Sequence, residues 1–219
     1  MTCKNCDPSE RYLGKIIKVS KDLNHCSECG EELDVFRYLP KPDIKWDKYF
    51  HTICESVASK SPCLSRKIGA VLVRDYSIIS TGYNGPPRKV PHCGHSRVMK
   101  DQVLNDLITI QSFNGDLPYP NRYKEECPRK VLGYESGTHL ELCPAQHAEA
   151  NTISNAARLG VGVLNSTLYM NCVIPCKNCL GMLINAGVVE VVVDETTVYD
   201  KHTQFLIDNS DIKIRKFEL

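Results

Sequence analysis

His147, Glu149, Cys176 and Cys179 carry the densest chemistry in the sequence. His147-Ala148-Glu149 opens one helical stretch, and Pro175-Cys176-Lys177-Asn178-Cys179 opens the next, directly after a strand. One histidine and two cysteines make three zinc ligands, and three protein ligands leave a fourth position for water, the arrangement of a catalytic site. Zinc lowers the pKa of such a water to around 7. Glu149 stands two residues from the histidine, so it points to a different side of the first turn and can reach that water without ligating. A carboxylate placed there takes and returns protons, typically for a ~10²–10⁴-fold gain in rate. Both cysteines sit where a helix N-terminus favours the thiolate, and Pro175 suits a first helical turn. Taken singly, the two cysteines would read as half of a structural knuckle and His147 as a surface histidine. Their order and strand-helix context favour catalysis.

The elements that must hold these residues follow from periodicity. Trp46, Tyr49, Phe50, Ile53 and Val57 fall at helical spacing and predict an amphipathic helix ending before Pro62. Residues 67–74 and 77–81 predict two strands joined by a short turn at Asp75-Tyr76. Beyond residue 145 the chain alternates: helix 146–159, strand 167–172, helix 177–186, strand 188–193, helix 199–209 and strand 212–217. Such alternation gives parallel crossovers with helices on the sheet faces. The expected fold is a three-layer α/β/α sandwich around a mixed five-stranded sheet. Both motifs then fall at the sheet edge where open α/β folds bind ligands. Residues 85–140 read as polar and turn-rich, too long for an ordinary connection, and therefore as functional or metal-braced.

Composition narrows the class. The chain has 219 residues, with 27 basic against 26 acidic side chains and a net charge of +1, which gives no overall footprint for nucleic acid. Apolar residues make up 42%, yet no apolar run reaches the ~18 residues of a spanning helix. The N-terminus lacks the apolar stretch of a secretory signal, so the expected compartment is the cytoplasm. Cysteine is the outlier at 12 residues, which in an intracellular chain points to metal sooner than to disulfides. Cys3, Cys6, Cys26 and Cys29 form two Cys-x-x-Cys pairs, whose two-residue spacers let both thiolates of each pair meet one ion. They predict a structural zinc ribbon over 1–40, with Leu39-Pro40-Lys41-Pro42-Asp43 as a linker to a catalytic domain over 41–219.

The two motifs, His147-Ala148-Glu149-Ala150-Asn151 and Ile174-Pro175-Cys176-Lys177-Asn178-Cys179, together with Thr81-Gly82-Tyr83-Asn84-Gly85-Pro86, resemble the zinc-dependent cytidine/deoxycytidylate deaminase superfamily, and within it the deoxycytidylate branch. The resemblance covers about residues 45–219. It implies the deaminase sandwich and hydrolysis of dCMP to dUMP and ammonia, which supplies thymidylate synthesis. It also implies a hexamer activated by dCTP and inhibited by dTTP. Carried over, His147, Cys176 and Cys179 are the zinc ligands and Glu149 the proton shuttle. Asn84 contacts the deoxyribose, while Ala148, Tyr199 and Arg66 belong to the substrate site. Gly82, Tyr83, Gly85 and Arg158 border an effector and phosphate site. Tyr83-Asn84-Gly85 is equally a simple turn on its own residues, and Arg66, Lys67 and Arg158 could each be solvated surface charges.

Several members of the family hold a further structural zinc near the first strand. Cys63, Cys93, Cys127 and Cys143 are the expected ligands of such an ion here, with His92 or His95 as a replacement. Cys54 and Cys172 read as small core residues. Substrate choice stays open among dCMP, dCTP and 5-substituted dCMP. A nucleic-acid deaminase using the ribbon to dock is disfavoured, because 3–43 mixes charges of both signs without interleaved aromatics.

Overall fold

Alternation along the central strands explains why helices cover both sides of the sheet. In the computed structural model, which describes residues 45–113, 125–135, 137–198 and 200–219, strand β1 (Gly69–Arg74) turns Ala70 and Leu72 to one face and Val71 and Val73 to the other. Strands β3 (Ser166–Val173) and β4 (Val188–Glu195) repeat the pattern, with Leu168, Met170, Val191 and Val193 on the first face and Tyr169 and Val192 on the second. A strand apolar on both faces must be covered on both. Helix α1 (Trp46–Ser59) closes the second face through Phe50 and Cys54, both fully buried. The first face is closed by α5 (Ala148–Arg158), α6 (Lys177–Asn185) and α7 (Lys201–Asp208), which bring Ala148, Leu180 and Leu183 into the larger core. At ~1.5–3 kcal/mol for each large apolar side chain buried, these two clusters supply the main driving force for folding.

The sheet order is β2-β1-β3-β4-β5, with β2 at Ser77–Tyr83 and β5 at Lys213–Lys216. Strand β1 runs antiparallel to both neighbours, pairing Val71 with Thr81 and with Tyr169. Strands β3, β4 and β5 are parallel, in register Leu168 to Val191 to Ile214. The predicted mixed five-stranded α/β sandwich is therefore the fold. The β1–β2 turn is tight because Asp75 (φ 51°) and Tyr76 (φ 56°) both take the left-handed region, the geometry that matches hairpin twist. Two glycines set how closely the outer layers approach. A Cβ on Gly69 would lie 2.2 Å from the Cys54 carbonyl oxygen of α1, and one on Gly82 would lie 2.4 Å from the Thr152 nitrogen of α5.

Residues 85–140 depart from the expected turn-rich stretch. They contain α2 (His95–Lys100), α3 (Gln102–Phe113) and α4 (Pro128–Val131), with a 3₁₀ turn at Leu140–Leu142. These elements share a separate small core of Val98, Leu104, Ile108, Val131 and Leu132. The overlooked signal was Asp101, whose Oδ1 accepts the Leu104 N–H at 3.1 Å and caps α3 ahead of Leu104, Leu107 and Ile108. Arg97, only 4% exposed, ties the excursion together by reaching Asp101 at 3.1 Å and the Leu142 carbonyl. No described helix is long and apolar enough to cross a membrane. Cys3, Cys6, Cys26, Cys29 and Tyr199 lie outside the described residues.

Candidate active site

Each metal-binding motif is delivered by the first residue of a helix. His147 is the N-cap of α5 and Cys176 the N-cap of α6, both with extended backbone. Their carbonyls accept the first helical bonds, from Asn151 N–H at 3.0 Å and Leu180 N–H at 2.8 Å. Pro175 thus precedes the cap instead of occupying the first turn, and its fixed φ steers strand β3 into α6. Helix α5 is stitched to β2 from three positions. Asn151 Nδ2 donates to the Tyr83 carbonyl at 2.8 Å, Asn155 Nδ2 to the Thr81 carbonyl at 2.9 Å, and Ser80 Oγ to the Thr152 carbonyl at 2.7 Å. A two-bond bridge between Gly85 and Gln146 fixes the chain immediately before His147.

The result is a tight donor set. His147 Nδ1 lies 3.6 Å from Cys176 Sγ and 3.5 Å from Cys179 Sγ. Bond lengths of ~2.05 Å to nitrogen and ~2.3 Å to sulfur at a tetrahedral angle require an N···S edge of about 3.6 Å. The three residues therefore fit zinc. Among the described residues they are the one set of three His, Cys, Asp or Glu side chains whose ligand atoms all lie within 4.8 Å. Glu149 is 4% exposed, and its Oε1 lies 3.7 Å from His147 Nδ1, beside the donors without joining them.

Electrostatics at the site are strongly coupled. The Cys179 thiol and then His147 pull the Cys176 thiol down to about 4. In turn Cys176, followed by Glu149, pushes His147 up to about 10, and Cys176 together with burial holds the Cys179 proton on. The group thus already holds one thiolate before metal enters, and zinc must displace the remaining protons.

The cytidine and deoxycytidylate deaminase zinc-binding region matches residues 44–195, spanning every element just described from α1 to β4. The chain belongs to this deaminase family. Among its relatives, the deoxycytidylate deaminase of Saccharomyces cerevisiae is 33% identical over 172 residues, covering 78% of this chain and 45% of that protein. The Schizosaccharomyces pombe deoxycytidylate deaminase is 30% identical over 219 residues, 97% of this chain and 57% of its own length. The chain thus spans about half the length of these two curated relatives. The enterobacteria phage T4 deoxycytidylate deaminase is shorter, and the 33% identical stretch covers 67% of this chain and 75% of the phage enzyme. A crystal structure of the cyanophage S-TIM5 dCMP deaminase with dCMP and dUMP shares the fold, at a TM-score of 0.51 and 19% identity over 81% of this chain and 99% of that one.

The zinc group of this deaminase chain opens onto a cavity of about 130 Å³, bordered by His147, Glu149, Cys176, Asn84, Arg66 and Arg129. Arg66 thus borders this cavity. Asn84 stands there too, but its amide is mostly committed to the chain. Its Oδ1 accepts from Ser61 Oγ at 2.7 Å and Ile68 N–H at 2.9 Å, and its Nδ2 donates to the Arg66 carbonyl at 2.8 Å. One N–H remains for a ligand. Ala148 is 1% exposed and its methyl group joins the main core, which leaves its backbone as the part that could meet substrate. Gly82 and Tyr83 serve the β2–α5 contact, Gly85 the bridge to Gln146, and none of them borders the cavity. Arg158, in the last turn of α5, is exposed and also outside it.

The four-sulfur site does not assemble at ligand spacing. Cys143 and Cys127 are close enough to Cys93 to raise its thiol, adding to the effect of burial, and Arg97 Nη1 lies 3.5 Å from Cys93 Sγ. Cys63 instead accepts the Ser65 N–H at 3.4 Å on the cavity wall, while His92 and His95 are exposed. Cys54 is a core residue as expected, and Cys172 is half-buried beside the larger core, bordering the cavity. Arg129 was not singled out by sequence, since arginine in a Pro-Arg-Lys segment reads as solvated.

Proposed function

We propose that this chain is a zinc-dependent deoxycytidylate deaminase, converting dCMP and water to dUMP and ammonia. The observation that carries the reading is the His147, Cys176 and Cys179 donor set at tetrahedral-edge spacing with buried Glu149 beside it. Zinc held by those three residues supplies Lewis-acid activation of water at neutral pH. Glu149 faces the same cavity, so its carboxylate takes a proton from the attacking water and returns it to the pyrimidine ring nitrogen. The same carboxylate then takes the proton of the hydroxyl added to the ring carbon and passes it to the departing amine, so the C–N bond breaks as the carbonyl forms, ammonia leaves and the carboxylate is restored. The low exposure of Glu149 keeps bulk water from competing for these protons. Met170 and Ile174 give the cavity an apolar side against which a base can stack, and the single free N–H of Asn84 faces the sugar.

The same proposal includes a ribbon module over 1–40, a catalytic domain over 41–219, control by dCTP and dTTP, assembly into an oligomer and a cytoplasmic site of action. The test is ammonia release from the zinc-loaded chain with cytidine, dCMP, 5-methyl-dCMP and dCTP, each with and without dCTP or dTTP as effector. Preference for dCMP with opposite responses to the two triphosphates is expected. Turnover of dCTP or the 5-substituted nucleotide alone would keep the chemistry and replace the substrate.

A further inference from the structure

Two arginines are buried among the described residues, Arg97 and Arg129, and they differ in what neutralises them. Arg97 has Asp101 at 3.1 Å, and Arg215, part-buried, has both Asp47 and Glu190. Arg129 is 7% exposed, yet no carboxylate pairs with it among the described residues. Its Nη1 donates to the Thr138 carbonyl, and its Nε is buried with no partner at all. Leaving a guanidinium without a counter-charge in the interior is costly, and proteins keep such groups where an anion arrives to complete them.

The place of this charge says which anion. Arg129 borders the same cavity as Glu149, and among the described residues Glu149 is the one carboxylate bordering it, already engaged with His147. Arg66 adds a second guanidinium residue, so among the described residues the cavity is bordered by two arginines and one carboxylate. Backbone and side chain both hold Arg129 in place, since its carbonyl accepts the Tyr134 N–H at 2.9 Å and Nη1 anchors on Thr138. A held, planar guanidinium bordering a cavity suits the tetrahedral oxygens of a phosphomonoester better than a single point charge does. We propose that Arg129 is the anion-recognising residue of this cavity, gripping the phosphate of a nucleotide whose base is presented to Glu149.

The assignment rests on the deoxycytidylate deaminase reading, so its test separates the two. Affinities of the zinc-loaded full chain for dUMP and for deoxyuridine, which differ only by the phosphate, are measured by calorimetry for the wild type, Arg129→Lys and Arg129→Ala. Arg129→Ala is expected to weaken dUMP roughly 10²-fold while deoxyuridine changes less than about threefold, with Arg129→Lys intermediate. Equal weakening of both ligands, or unchanged dUMP affinity, overturns the proposal. Loss of bound zinc in both variants would assign Arg129 to bracing the metal site and overturn it as well. A wild type that prefers dUMP but does not turn over dCMP would sink the deaminase reading and leave the anion site standing.

Discussion

The two regions that wall the cavity are built on different principles. His147, Glu149 and Cys176 come from helices launched off a sheet, and their positions are fixed by main-chain caps and by a core that runs the length of β1, β3 and β4. Arg129, Gly137 and Leu140 come from the 85–140 excursion, whose helices pack around five buried apolar residues and are cross-tied by Arg97. Chemistry sits on the first wall, where positional error is costly. The second wall has the smaller core and contributes Arg129. The metal donors and the buried arginine thus come from separate stretches of one chain.

Variants of the first wall give the largest effects. Glu149→Gln is expected to keep its zinc, because Glu149 stands outside the donor set, yet lose dCMP turnover by roughly 10²–10⁴-fold. Cys176→Ser is expected to lose one equivalent of zinc along with turnover. Metal analysis beside an ammonia assay separates the two, and substantial activity in Glu149→Gln would remove the proton-shuttle role.

The same truncation placed in each core sharpens the contrast. Leu180 in the main core and Leu104 in the excursion core are both fully buried, so either change to alanine should cost about 2–5 kcal/mol locally. Leu180→Ala should lower protection of the whole sheet in hydrogen exchange. Leu104→Ala should raise exchange over 95–113 and 128–132 and weaken nucleotide binding, while β3 and β4 amides stay protected. Equal loss of protection in β3 after Leu104→Ala would show that the excursion and sheet unfold as one unit.

Legibility in the sequence followed the same division. The sheet half was readable because β1, β3 and β4 are apolar on both faces and α5 and α6 begin at motif residues, so period and motif agreed. In the excursion α3 had a readable start at Asp101 that was overlooked, whereas α2 and α4, at six and four residues, are too short to show a period. Its burial of Arg97 and Arg129 runs against the usual exposure of arginine, and no local pattern announces that. Asn84 was found by motif, but its ties to Ser61 and Ile68 were not, since those partners are brought in by the fold.

Ser61→Ala carries the smallest expected effect and tests the joint between the first strand and the site. Ser61 is 3% exposed, and its Oγ lies 2.7 Å from both the carbonyl and the Oδ1 of Asn84 while accepting the Cys63 N–H at 3.2 Å. Removing it deletes one side-chain partner of an amide that also holds Ile68 and Arg66, at a cost of about 1 kcal/mol. The bonds from Asn84 to Ile68 and Arg66 survive, so the fold and the zinc group should too. What changes is the freedom of the amide to rotate, and with it the aim of its one free N–H. The expected outcome is a several-fold rise in KM for dCMP at nearly unchanged kcat and zinc content. A fall in kcat with KM unmoved would instead couple Ser61 to the chemistry on the first wall, and the division between the two walls would fail at that point.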